Sequence, residues 1–125
     1  MQDKEPGSPE FRRSAELQDQ MEKIGARFLD RVLADFAAME QALEALRTGN
    51  ASAAATLEMS AHRIHGSSAI FGFAGLSEAA GALEALLMAS RSQGDPVEAA
   101  PDIAAHLAAV RAAAEAARAG RDSNR

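Results

Sequence analysis

A histidine and a glycine stand four residues apart in the segment AHRIHGSSAIFG, which covers residues 61–72. At about 100° per residue, His62 and Gly66 share one helical face, about 140° from the apolar stripe that contains Leu57 and Ile64. A glycine at an exposed position inside a helix costs about 1 kcal/mol relative to alanine, so Gly66 calls for a functional reason. A bare backbone beside an imidazole lets a partner come close, as transfer of a group to a ring nitrogen requires. The spacing therefore predicts an exposed, reactive His62.

The same stretch resembles the signature of histidine-containing phosphotransfer (HPt) domains. That signature has a histidine, an aliphatic residue, a basic residue, Gly, Ser, a second Gly, then Leu and Leu-Glu downstream. The matching residues are His62, Ile64, His65, Gly66, Ser67, Gly72, Leu76, Leu83 and Glu84. The resemblance implies that His62 is phosphorylated, and that the phosphoryl group or the partner is supported by His65, Gly66, Ser67 and Arg63.

One position departs from the family pattern. His65 stands where the family usually has lysine, and a neutral imidazole contributes less positive charge at neutral pH. His65 is expected either to hydrogen-bond a phosphate or to be a solvated residue on the flank of the bundle. Arg63 points about 100° away from His62, so it is not expected to replace the positive charge of the family's lysine.

The resemblance implies a phosphorelay intermediate in two-component signalling. His62 would accept a phosphoryl group from a receiver-domain phosphoaspartate, and would pass it to another receiver domain. The partners would be receiver domains of response regulators or a hybrid sensor histidine kinase. No cofactor is expected, because the receiver would bring the Mg²⁺. The chain is expected to be a phosphocarrier and not an enzyme, since it has no glycine-rich or P-loop motif for ATP. The alternative is an adaptor bundle of the same fold that is not phosphorylated.

Three further interpretations concern Glu58, the metal-binding potential of the site, and His106. Glu58, His62 and His65 share a helical face as a candidate metal site, but three ligands on one helix rarely suffice, so no metal is expected. Glu58 is also a candidate for orienting the His62 ring, with a solvated surface role as the alternative. His106 flanks the stripe of the last helix and reads as structural.

Composition narrows the class of protein. The 125 residues hold 47% hydrophobic residues, many of them alanine, no cysteine, no Trp or Tyr, and a net charge of -5. These values predict one helical domain with neither a disulfide nor a thiolate site. Clustered Lys and Arg are absent, which argues against nucleic acid, and no apolar run reaches the roughly 20 residues that span a bilayer. We expect a cytoplasmic monomer that binds proteins.

Apolar periodicity places these residues on helices. One long helix carries a stripe from Phe28 to Leu46, with Gly25 either a break before it or part of it. Gly49 then suits a left-handed turn, and a second helix covers about 51–71. Gly72 and Gly75 interrupt the pattern, and a third helix ends near 92–94. A turn is expected at 96–99, with a last helix from Pro101 to Gly120.

These elements predict an all-α fold. Four amphipathic helices joined by short loops pack as an antiparallel up-down-up-down four-helix bundle, here with an additional N-terminal helical segment. We expect a disordered tail over 1–13, the bundle over 14–120 and a flexible C-terminus over 121–125. The segment at 7–11, Gly-Ser-Pro-Glu-Phe, resembles a cloning-vector remnant.

Overall fold

A computed structural model describes residues 7–123 of the chain, all of whose regular elements are helices. The five helices are α1 (Pro9–Ala34), α2 (Phe36–Arg47), α3 (Ala53–Ile70), α4 (Ala74–Gln93) and α5 (Ala100–Ser123). No helix in the described part of the chain is long and apolar enough to cross a membrane.

The first two helices form one long rod with a single interruption. Asp35 separates them, yet its backbone stays in the right-handed helical region, and its carbonyl accepts hydrogen bonds from the amides of Ala38 and Met39. Gly25 is absorbed into α1 and buried. The sequence allowed Gly25 to be either a break before the long helix or part of it, and the structure places it within α1. A Cβ at Gly25 would lie 3.3 Å from the Phe73 ring, so glycine lets that ring pack against the helix.

The start of α1 corrects the expected length of the N-terminal tail. Residues 9–13 are helical, because the Ser8 hydroxyl accepts a hydrogen bond of 3.0 Å from the amide of Phe11 and Pro9 occupies the first turn. Both features favour helix initiation. At the other end, α5 continues through Gly120 to Ser123. The outer parts of the two predicted tails, residues 1–6 and 124–125, lie outside the residues that the structure describes.

The rod, α3, α4 and α5 are the four members of the bundle. α3 packs between α2 and α4, and α5 closes the bundle against α4 and the rod. The core is aliphatic and rich in alanine, with Phe36 as its aromatic member. Its fully buried large side chains are Leu29, Leu46, Leu57, Leu76, Leu83, Leu87, Ile103 and Val110. The predicted all-α bundle is confirmed.

Short connections set the antiparallel course. Gly49 adopts φ 103° after α2, and Gly72 adopts φ 78° between α3 and α4. Both values lie in the left-handed region that favours glycine. A turn at 96–99 precedes α5, with Pro101 in the first turn of that helix, as predicted. The turn between α3 and α4 is closed by a cluster of Phe28, Phe71 and Phe73, whose ring centroids are 5.5–6.4 Å apart.

Candidate functional site

His62 lies in the middle of α3, on the side that faces α4. Its side chain is 73% exposed, and its Nδ1 lies 2.5 Å from Oε2 of Glu84, which is 17% exposed. An ionised carboxylate only accepts hydrogen bonds, so the proton of the pair belongs on Nδ1. In the neutral ring, the other nitrogen, Nε2, then carries the lone pair, and it forms no hydrogen bond with the described residues.

An open surface surrounds this histidine. Gly66 is exposed one turn after His62, and a Cβ there would meet nothing within 4 Å. The gap that the sequence predicted is therefore present. Exposed apolar side chains occur at nearby helical positions: Met59 three residues before His62 (66% exposed), Ile70 four residues after Gly66 (73%), and Met88 four residues after Glu84 (53%). The imidazole thus stands on a surface that is partly apolar and free of steric obstruction.

His65 turns toward α4 and is half-buried. Its Nδ1 donates a hydrogen bond of 2.7 Å to the carbonyl of Ser77, whose hydroxyl donates one of 3.2 Å to the carbonyl of His65. The imidazole lies directly over Gly81, where a Cβ would be 2.9 Å from ring atoms. The half-buried ring differs from the solvated flank residue that was one of the two expectations. The ring connects two helices, and its role toward phosphate stays a prediction.

Arg63 and Ser67 lie on a different side of α3 from the Glu84 contact. Both line a groove of about 500 Å³ between α3 and the α1/α2 rod, whose walls include Phe28, Arg31 and Met39. The structure therefore separates the site residues expected from sequence into two groups. His62 and His65 face α4, Arg63 and Ser67 face the rod, and Gly66 is exposed. Support of a phosphoryl group by Arg63 or Ser67 remains a prediction.

A family model for the Hpt domain matches residues 23–120. The match covers most of the chain and includes α2, α3 and α4 entire. The chain belongs to the Hpt domain family. Hpt domains are helical bundles that serve phosphotransfer in two-component signalling. Searches of curated proteins and of solved structures found no match to the chain.

Glu84 is a residue of the Hpt signature whose contact with His62 was not predicted from the sequence. Glu84 was recognised as part of the Leu-Glu pair, but its role beside His62 depends on how α3 and α4 are aligned. Glu58, the candidate from sequence, instead binds Arg91 of α4, with 2.8 Å between Oε1 and Nη1. Helical spacing places Glu58 near His62, whereas only the tertiary structure shows which carboxylate reaches the ring.

Three residues considered as metal ligands have separate partners in the Hpt bundle. Glu58 binds Arg91, His62 binds Glu84, and His65 binds the Ser77 backbone. Within residues 7–123, no group of three or more His, Cys, Asp or Glu side chains is arranged to hold a metal ion. His106 has a local contact, with Nδ1 2.9 Å from the carbonyl of Asp102 in the previous turn.

Proposed function

We propose that this chain is a phosphorelay intermediate that accepts a phosphoryl group on Nε2 of His62 from a receiver-domain phosphoaspartate and passes it to another receiver domain. The observation that carries the proposal is the Glu84 contact. It holds Nδ1 of an otherwise exposed ring and leaves Nε2 free to react. The histidine is therefore oriented from one side and accessible from the other.

The chemistry follows from this tautomer. The Nε2 lone pair attacks phosphorus, a nitrogen–phosphorus bond forms, and the bond to the receiver's aspartyl oxygen breaks, so that a carboxylate leaves. No proton has to be removed from Nε2, because the proton already resides on Nδ1. The ring gains positive charge as the bond forms, and the Glu84 carboxylate stabilises this charge through the Nδ1 proton. Transfer to the next receiver is the same reaction in reverse.

The partner completes the site in this proposal. The receiver domain brings the Mg²⁺ that transfer requires, while this chain acts as a phosphocarrier without kinase activity of its own. The exposed side chains of Met59, Ile70 and Met88 provide an apolar surface around His62 for a receiver. We place the relay in the cytoplasm, with the chain acting as a monomer.

Phosphoryl acceptance is the direct test. Wild-type protein is incubated with phosphorylated receiver domains, and the phosphorylated residue is mapped by mass spectrometry at neutral or basic pH. We expect label on His62 and none in His62→Gln, with helical content unchanged because the side chain is exposed. His106→Gln is the matched control and should accept normally. Label on His65, or full acceptance by His62→Gln, would refute the assignment.

A second candidate function is that of an adaptor bundle that is not phosphorylated. One observation favours it: the position of the family's lysine holds His65, whose imidazole is engaged with Ser77 and Gly81. An adaptor predicts that receiver domains bind equally well to wild type and His62→Gln, and that neither protein is labelled.

A further inference from the structure

We propose that Arg91 binds the phosphoryl group of phosphorylated His62 after releasing Glu58. The inference rests on the proposed function, since it needs a phosphorylated histidine, and it assigns a residue outside the segment that resembles the Hpt signature. Arg91 would then supply, from α4, the positive charge that His65 does not supply from α3.

The need for a cation follows from the charges around His62. A phosphoryl group on Nε2 brings up to two negative charges to a ring whose other nitrogen already faces the Glu84 carboxylate. Glu58 adds a second carboxylate one helical turn away on the same helix. Negative groups at this spacing repel one another, and a guanidinium between them reduces the repulsion.

Few basic side chains are available near His62 on α3 and α4. Arg63 is the one Lys or Arg residue of α3, and Arg91 is the one on α4. Arg63 lines the groove on the side of the rod. Arg91 lies on the correct side, because it spans from α4 to Glu58, and residues four apart on a helix have Cβ atoms about 5–6 Å apart. Its guanidinium is therefore bound to a residue that stands one helical turn before His62 on α3.

The present contact of Arg91 is easily exchanged. The Arg91 and Glu58 side chains are 44% and 25% exposed, and ion pairs at such positions contribute little to stability. A phosphoryl group offers three oxygens and a higher charge than one carboxylate, so it competes well for a planar guanidinium. On phosphorylation, the hydrogen bonds that Arg91 donates to Glu58 would be replaced by hydrogen bonds donated to phosphoryl oxygens. Glu58 would return to water.

Two substitutions distinguish a phosphoryl ligand from a simple link between helices. Arg91→Gln removes the cation, whereas Glu58→Gln breaks the same ion pair but leaves Arg91 free. A phosphoryl ligand predicts a loss from Arg91→Gln and either no change or a gain from Glu58→Gln, whereas a structural link predicts the same loss from both. Arg118→Gln is the matched control, because Arg118 forms another exposed pair between helices, 3.5 Å from Asp30.

The experiment uses a small phosphoramidate donor and no receiver domain, so a contact between Arg91 and a receiver cannot explain the result. We expect Arg91→Gln to lower the rate of His62 phosphorylation, the lifetime of the phosphohistidine, or both by about tenfold. Glu58→Gln should match or exceed wild type, Arg118→Gln should match it, and Arg91→Lys should recover part of the loss. Circular dichroism confirms that each variant is folded.

Two results would overturn the inference: Arg91→Gln equal to wild type in both measurements, or equal losses in Arg91→Gln and Glu58→Gln. Failure of the proposed function is recognised separately, because wild type itself would then take no label on His62 from either the phosphoramidate or a phosphorylated receiver.

Discussion

The Glu84 carboxylate distinguishes the two nitrogens of His62. With Nδ1 held at 2.5 Å from Glu84, the free nitrogen is the one on the outer edge of the ring. The exposure of His62 and the gap at Gly66 followed from helical geometry within one segment, and the sequence predicted both. The Glu84 contact joins residues 22 positions apart, so it depends on the packing of two helices and could not be derived from spacing.

At the residue scale we predict that Glu84→Gln slows phosphoryl acceptance by about tenfold without unfolding the protein. Glutamine can still accept a hydrogen bond from Nδ1 through its amide oxygen, but it lacks the negative charge that stabilises the charged ring. Rates are measured by phosphate labelling followed by mass spectrometry. Glu40→Gln, which removes a carboxylate that is paired with Arg111 instead of a histidine, is the control. Equal rates in Glu84→Gln and wild type would show that the charge has no role in the transfer.

Substitutions at Gly66 distinguish its effect on the stability of the fold from its effect on the approach of a receiver domain to His62. Gly66→Ala should stabilise the protein by about 0.5–1 kcal/mol, because alanine is the better helix former and a Cβ meets no neighbouring atom. Gly66→Leu should also fold, yet it should block transfer from a receiver by covering the approach to His62. Urea unfolding measures the first effect and receiver-dependent labelling the second. Unimpaired transfer in Gly66→Leu would remove this explanation for the glycine.

At the scale of helices, the His65 imidazole of α3 packs over Gly81 of α4 and so connects the two helices. The His65 imidazole occupies the space where residue 81 would carry a Cβ. Periodicity predicted both helices and the buried face of α3, since Leu57 and Ile64 are indeed buried. It did not predict this contact, because helical spacing alone indicates neither which residues face each other across two helices nor that Gly81 leaves room for a ring.

A double-mutant cycle tests this fit. Gly81→Ala should destabilise wild type by about 1–3 kcal/mol, because the new methyl group overlaps the His65 ring. The same change should cost much less, or stabilise α4, in a His65→Ala background, where the ring is absent. Free energies of unfolding in urea provide the four values of the cycle. Additive effects would mean that His65 and Gly81 do not interact.

At the scale of the whole molecule, α1 extends beyond the bundle core. All residues from 15 to 24 are exposed, including the apolar side chains of Leu17, Met21 and Ile24. The Hpt match begins at residue 23, close to the point where burial begins at Gly25. Periodicity predicted a helix here, but it could not predict whether any other element covers the apolar side.

Removal of residues 1–20 should therefore leave the free energy of unfolding within about 1 kcal/mol of the intact protein, while helical content falls. The measurements are urea unfolding and circular dichroism. Leu29→Ala provides the comparison, because a fully buried leucine should cost about 2–5 kcal/mol. A loss of that size in the shortened chain would show that residues 1–20 contribute to the core.

The hairpin of α3 and α4 makes the number of residues in each arm as important as their identity. His62 lies ten residues before Gly72 and Glu84 lies twelve after it, so the two arms are nearly equal and bring the side chains level. Adding or deleting one residue within either arm would rotate the far side chain by about 100° and shift it by about 1.5 Å. A single insertion between His62 and Glu84 could therefore separate the pair although every functional residue is still present.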